Sequence, residues 1–249
     1  MPERSFGFTL VHSCLREKDG DPMGAYRETH EDMAREAETR ASFYRTLASL
    51  YFKELDQAGI DALSNEDLTA TGVDDELMEE GYADMAAYLK HRDGGTRQEL
   101  ATDFAGAILA AGSYDDRRAT PYESVFTSES GLLMQEARDD VYRRFCEARV
   151  AVDEGLRTPE DHLSFEFEFM LLRPASRRGL CMRAILRLRH LLRTQREFHR
   201  DHLLNWIDAY CDCLQSCAQT RFYRGVAKLT RGFVHMDEDM MDDAAETLC

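Results

Sequence analysis

The stretch TPEDHLSFEFEFM at residues 158–170 decides the fold class, because its phenylalanines fit two kinds of secondary structure. They occupy every second position from Phe165 to Phe169, which is the period of a half-buried β-strand. The preceding residues favour a helix: Thr158 is a good N-cap, Pro159 suits the first helical position, and two acids follow. We therefore predict a buried helix that begins at Thr158 and is apolar over a wide arc.

The rest of the chain also favours helices. Its 249 residues include only five prolines and fifteen glycines, whereas helix-favouring residues such as alanine, leucine and glutamate are plentiful. Phe43, Leu47, Leu50 and Tyr51 recur at helical spacing. Further helices are predicted at about residues 75–91, 132–150, 177–196, 199–218 and 220–236. The predicted fold class is all-α.

The two ends of the chain differ from its middle. Residues 1–32 carry scattered glycines, prolines and acids without sustained periodicity, so we predict a flexible N-terminal extension. The folded domain is expected to span residues 33–236. Residues 237–249 carry six acids in thirteen positions, which predicts an acidic tail that is either solvated or the frayed end of a helix.

Charge and cysteine content restrict the function and the compartment. A formal net charge of −16 argues against non-specific nucleic-acid binding, because a phosphate backbone would be repelled, and it favours a cationic partner. The seven cysteines show no regular spacing, and no secretory signal precedes them, so we expect reduced thiols and a cytoplasmic protein. No stretch has the apolar length of a membrane span, so no stable membrane insertion is expected.

The adjacent Asp161 and His162 are the most conspicuous candidate for a catalytic pair. Neighbouring helix residues point about 100° apart, so the two side chains are not placed to hydrogen-bond directly. Glu166 is the nearest carboxylate in helical register with His162, and a G-x-S-x-G nucleophile motif is absent. We therefore predict that the protein is not an enzyme, while a capping role and a binding role for the pair stay open.

The sequence also gives little support for a metal or a nucleotide. Cys211, Cys213 and Cys217 point to different sides of a helix, so one tetrahedral ion cannot reach all three. No histidine has a glutamate three residues before it, which excludes the ferritin-like ligand pattern. His199 and His202 are three residues apart, but two histidines on one helix are weak evidence for a metal site. No glycine-rich nucleotide motif occurs, and no cofactor is expected.

Five stretches, in this order and spacing, resemble the TorD/DmsD family of maturation chaperones for molybdenum-containing redox enzymes. They are ASFYRTLASLYF at 41–52, LATDFAGAIL at 100–109, TPYESVFTSESGLLMQEARDDV at 120–141, TPEDHLSFEFEFM at 158–170 and FHRDHLLNWIDAYCDCL at 198–214. The resemblance covers about residues 35–236. It implies a cytoplasmic single-domain helical bundle that binds the twin-arginine signal peptide of a client's catalytic subunit.

The resemblance also implies a binding site. In that family a P-x-D-H stretch and a P-Y/W-x-S stretch contribute to the signal-peptide site, and an aromatic-rich helix precedes the second. The positions that match the two motifs are Pro159, Asp161, His162, Pro121, Tyr122 and Ser124. The aromatic-rich helix is represented by Phe104 with the less bulky Ala107 and Ile108, which departs from the family pattern. Thr158 departs from the family pattern, which often has glutamate just before the proline.

The expected partner has a simple chemistry. A twin-arginine peptide offers two guanidinium groups followed by an apolar segment, so its receptor needs carboxylates beside an apolar groove. Asp161 and Glu166 are the predicted source of charge, with Phe104, Tyr122 and Phe165 as the apolar surface. The expected partners are this peptide and the cofactor-free catalytic subunit of a molybdoenzyme of the DMSO reductase type. Family members occur as monomers and swapped dimers, so a homodimer is also open.

Two alternatives compete with this hypothesis. The first is a helical enzyme or metal protein that uses His162, His199 and His202. The second is a bundle that scaffolds an assembly without recognising a signal peptide. Metal analysis tests the first alternative, and binding to mature client but not to its leader peptide would indicate the second.

Overall fold

The computed structural model describes residues 22–69, 75–109, 119–153, 155–172 and 182–247. Across these ranges the chain forms ten helices, and its only extended pairing is one isolated β-bridge, so the all-α prediction is confirmed. The helices are α1 (Pro22–Phe52), α2 (Gln57–Asn65), α3 (Glu76–Lys90), α4 (Thr96–Ala107), α5 (Glu123–Thr127), α6 (Glu136–Ala148), α7 (Leu163–Phe169), α8 (Met182–His202), α9 (Ile207–Cys217) and α10 (Arg221–Thr247).

Helix α10 holds the bundle together, because it packs against α3, α8 and α9 and also touches α1 and α4. It approaches α3 closely at Gly225, which faces Gly81. A Cβ added at Gly225 would lie 2.6 Å from the Gly81 carbonyl oxygen, so any side chain there would clash with backbone. Glycine at both positions allows the two helices to meet backbone to backbone.

Helix α7 confirms that the alternating phenylalanines belong to a helix. Phe165, Phe167 and Phe169 are all buried, and the helix packs against α1. The ring of Phe167 lies 5.5 Å from that of Tyr44 and 6.2 Å from that of Tyr51, both on α1. A short helix that is packed on nearly every face can carry apolar residues at alternate positions. Its sequence therefore shows the same alternation as a half-buried strand.

The predicted start of this helix at Thr158 is wrong. Helix α7 begins at Leu163, and its N-cap is His162, which has an extended backbone conformation. The amide of Leu163 donates to the carbonyl of Pro121, in a different segment of the chain, at 2.9 Å. Because this pairing holds the backbone extended, the local threonine-proline signal does not start a helix.

Two other predicted boundaries are also wrong. The helix predicted over residues 132–150 starts only at Glu136, because Gly131 and Met134 adopt left-handed backbone conformations, each with φ 62°. The predicted break between residues 196 and 199 is absent, since α8 continues to His202 before the chain turns into α9.

Both ends of the described chain carry more helix than the sequence indicates. Helix α1 already begins at Pro22, within the predicted extension 1–32, and α10 runs through residues 237–247, where the tail is predicted. Residues 1–21 and 248–249 lie outside the described residues. The three-part division of the chain stays a prediction.

Asp237 has a structural role that its acidic neighbourhood does not suggest. It is fully buried and accepts two hydrogen bonds from the guanidinium of Arg40, one of them 2.8 Å long from Nη2. The hydroxyl of Tyr44 donates to the same carboxylate at 2.6 Å. This buried network ties α1 to α10.

We expect Asp237→Ala to lower the free energy of unfolding by about 3–5 kcal/mol, because Arg40 would stay buried without its partner. Urea unfolding followed by circular dichroism measures the change. Asp239→Ala is the matched control, since Asp239 is exposed two positions further along the same helix, and it should stay within about 0.5 kcal/mol of wild type. Equal stability of the two variants would contradict a structural role for Asp237.

Candidate peptide-binding site

Two loops predicted to share a site are joined by a single antiparallel β-bridge between Tyr122 and His162. Each bridge residue is followed by an amide that donates across the pair. The amide of Glu123 donates to the carbonyl of Asp161 at 3.0 Å, and the amide of Leu163 donates to the carbonyl of Pro121 at 2.9 Å. The bridge therefore brings together the P-Y-x-S and P-x-D-H stretches, which lie about 40 positions apart in the sequence.

The side chain of Asp161 adds a third link between the loops. Its Oδ2 accepts a hydrogen bond from the amide of Ser124 at 3.0 Å, while the Ser124 hydroxyl accepts one from the amide of Gln135 at 3.2 Å. Asp161 and Ser124 are both fully buried. Burial raises the pKa of the Asp161 carboxyl, and its hydrogen bonds to Ser124 oppose that rise. The carboxylate holds the loop and does not reach the surface.

His162 is a neutral aromatic contact and not a charged one. Its Nδ1 accepts from the amide of Ser164 at 3.1 Å, so the ring proton is on Nε2. Burial lowers the pKa of His162 to about 4. The ring meets that of Tyr122 edge-on at 4.9 Å and lies 6.0 Å from Phe52 and 5.7 Å from Phe165.

Glu166 lies beneath this bridge and is buried completely. Burial, together with the nearby charges of Glu123 and Asp161, raises its pKa well above the ordinary value for glutamate. The indole Nε1 of Trp206 lies 3.3 Å from Oε2 as a donor. Burial therefore disfavours the ionised form of Glu166, and its carboxyl is not an exposed charge for an arginine.

Glu123 is a central residue of the site that the sequence analysis missed. Its carboxylate accepts from Nδ1 of His202 at 2.9 Å and from the side-chain amide of Asn205 at 2.6 Å. Nε2 of His202 lies 3.0 Å from a carboxylate oxygen of Asp140. This arrangement fixes α5 against the end of α8, and no local sequence pattern marks it because its partners are distant in the chain.

The three histidines of the metal hypothesis have separate surroundings. His162 caps α7, His202 lies between two carboxylates, and buried His199 lies 4.0 Å from Asp237. Burial lowers the pKa of His199 to about 4. Within the described ranges, no group of three or more histidine, cysteine or acidic side chains is placed to hold a metal ion.

An apolar groove adjoins the bridge. It has a volume of about 370 Å³, and we call it the Phe52–Phe165 groove after the two residues that lie between it and His162. Phe52 is 37% exposed and Leu156, further along, is 41% exposed, so apolar surface faces solvent here. The two phenylalanine rings lie 5.6 Å apart. Such a concave apolar surface is suited to bind a ligand of similar character.

Not every predicted site residue lies near this groove. Pro121, Tyr122, Ser124, Asp161 and His162 come together at the bridge, and the Pro159 carbonyl accepts from the amide of His162 at 3.2 Å. Phe104 and Ile108, by contrast, are buried at the end of α4, and neither is among the residues that line the groove. The Phe104 ring packs against that of Tyr223 on α10, 6.0 Å away.

Comparisons with known proteins identify the family of this chain. Residues 72–212 match the family model described as nitrate reductase delta subunit. The chain is 30% identical to the chaperone protein TorD of Vibrio cholerae serotype O1 over 83% of its own length and 93% of the relative. It is also 29% identical to the TorD chaperone of Photobacterium profundum and 26% identical to that of Vibrio parahaemolyticus, each over 80% of this chain and 93% of the relative.

The chain belongs to the TorD/DmsD family. It is accordingly a chaperone of molybdoenzyme maturation and not an enzyme, and its partner is a molybdoenzyme. Along the described ranges, no helix of this chaperone is both long and apolar enough to cross a bilayer.

The raised pKa of Glu166 gives a testable pH dependence. The folded chaperone keeps a proton on Glu166 that the unfolded chain releases, so wild-type stability falls as pH rises from the ordinary glutamate pKa towards the raised one. The side-chain amide of glutamine does not titrate in this pH range, so the variant lacks this contribution. The stability of Glu166→Gln relative to wild type should therefore increase with pH, by up to about 1.4 kcal/mol per pH unit.

Urea unfolding from about pH 6.5 to 8.5 measures this difference, because groups that both chains share contribute equally to the two curves at each pH. Glu129→Gln, which changes an exposed glutamate on the loop after α5, is the control and should run parallel to wild type. A Glu166→Gln curve that also runs parallel to wild type would show that Glu166 is ionised in the folded state.

Proposed function

We propose that this chaperone binds the twin-arginine signal peptide of the catalytic subunit of a molybdopterin-dependent oxidoreductase of the DMSO reductase type. Binding would keep the cofactor-free subunit from export until it has folded and received its cofactor. The action is proposed to take place in the cytoplasm. The observation that carries the proposal is the β-bridge at Tyr122 and His162, which places both motif loops beside an open apolar groove.

The groove and the overall charge suit the two parts of such a peptide. An apolar peptide segment can bury its side chains against Phe52, Leu156 and Phe165. The net charge of −16 attracts the arginines that precede this segment and speeds the encounter. A cationic peptide with an apolar continuation is therefore the ligand that the surface favours.

Asp161 acts in this proposal by positioning the loops. A fully buried carboxylate that accepts the amide of Ser124 is not available to a peptide arginine unless the bridge opens. Its hydrogen bond instead keeps Tyr122 and His162 in register next to the groove.

Calorimetry with a peptide of the S/T-R-R-x-F-L-K pattern tests the proposed function. We expect the full chain to bind a signal peptide from a molybdoenzyme of the same cell, with an affinity that falls as salt is raised. Absence of binding to every such leader peptide, together with binding to the mature subunit, would favour a scaffold that does not recognise the signal.

Two variants test how Asp161 contributes. Asp161→Ala removes the acceptor for the Ser124 amide and should weaken peptide binding, whereas Asp161→Asn keeps an acceptor oxygen and should bind nearly as wild type. Circular dichroism confirms that both variants are folded. Equal loss of binding in the two variants would show that the Asp161 charge itself holds the peptide.

The proposed function holds for a monomer and for a homodimer, so the oligomeric state is a separate question. Light scattering of the purified chain, with and without peptide, distinguishes a monomer from a homodimer. A dimer that dissociates on peptide binding would place the groove at the subunit interface.

A further inference from the structure

Helix α7 presents two glutamates in opposite environments. Glu166 is completely buried, whereas Glu168 is the one exposed residue between Leu163 and Phe169. Residues two positions apart on a helix point roughly 200° from each other, so burial of one directs the other outwards. Glu168 lines the Phe52–Phe165 groove. A carboxylate is thus held at the groove by a helix whose remaining residues are fixed in the core.

A second carboxylate, that of Asp153, lines the same groove. Asp153 is exposed and follows the apolar run Val150 to Val152, which also lines the groove. One Asp153 oxygen accepts from the amide of Gly155 at 2.8 Å, which orients the side chain in its turn. A carboxylate can accept further hydrogen bonds besides this one.

The groove has an unusual balance of charge. Of the eleven described residues that line it, nine are apolar and two, Asp153 and Glu168, are acidic, with no basic residue among them. Apolar walls that carry exposed carboxylates fit a ligand that is cationic at one end and apolar along its length.

We propose that Asp153 and Glu168 are the carboxylates that bind the guanidinium groups of the signal peptide, in place of Asp161 and Glu166. This inference rests on the proposed function and assigns the charge-recognising residues of the same site. The arginines pair with the two carboxylates at the wall of the groove, and the apolar residues that follow them lie along Phe52, Leu156 and Phe165.

Calorimetry on the full chain with a peptide of the S-R-R-x-F-L-K pattern tests the assignment. The double variant Asp153→Asn with Glu168→Gln should bind roughly tenfold more weakly, and its affinity should depend less on salt. The matched control is Glu79→Gln with Glu129→Gln, which removes the same charge from two exposed glutamates that do not line the groove, and it should bind as wild type.

A charge exchange gives a second readout. Glu168→Arg should weaken binding of the twin-arginine peptide and strengthen binding of a peptide in which both arginines are replaced by glutamates. Unchanged affinity of the double variant, while wild type binds the peptide, would overturn this assignment and leave the proposed function intact. Failure of wild type to bind any such peptide would overturn the proposed function and this assignment together.

Discussion

The site depends on one short contact between distant segments, the β-bridge between Tyr122 and His162. Two amide hydrogen bonds and the Asp161 carboxylate hold the loops in register, and each has a backbone donor or acceptor as its partner. Without this bridge His162 would not cap α7, and the aromatic rings beside it would not form one end of the groove. The P-x-D-H stretch thus has a structural role first, and its proposed contribution to ligand binding depends on that role.

Burial divides the carboxylates of the site into two groups. Those beneath the bridge, including Asp161 and Glu166, hold backbone and core groups, and burial raises the pKa of both. Charged pairing with an incoming arginine would require them to be exposed to solvent or to the ligand. Carboxylates on the groove walls meet that condition, so the residues most prominent in the sequence motif differ from those proposed to recognise charge.

Sequence patterns predict the parts of this fold that are set locally. The helix predicted over residues 75–91 is found at Glu76–Lys90, because Asp75 caps it through the nearby amide of Met78. The start of α7 could not be predicted in this way, since its backbone pairs with a loop some 40 residues earlier. Likewise no local sequence pattern predicts the hydrogen bond between Glu123 and His202, which lie 79 positions apart. The family motifs located the bridge, but only the packing shows which of their side chains are buried.

Photo-crosslinking tests the central claim, that the groove beside the bridge holds the signal peptide, most directly. A twin-arginine peptide carrying benzoylphenylalanine in its apolar segment would be bound to the full chain, irradiated and mapped by mass spectrometry. Adducts are predicted on residues 150–153, on Leu156 or on α7, all of which contribute to the lining of the groove. Adducts confined to the charged cleft between α8 and α10, lined by Arg193, Arg196 and Arg200, would contradict a peptide site in the groove.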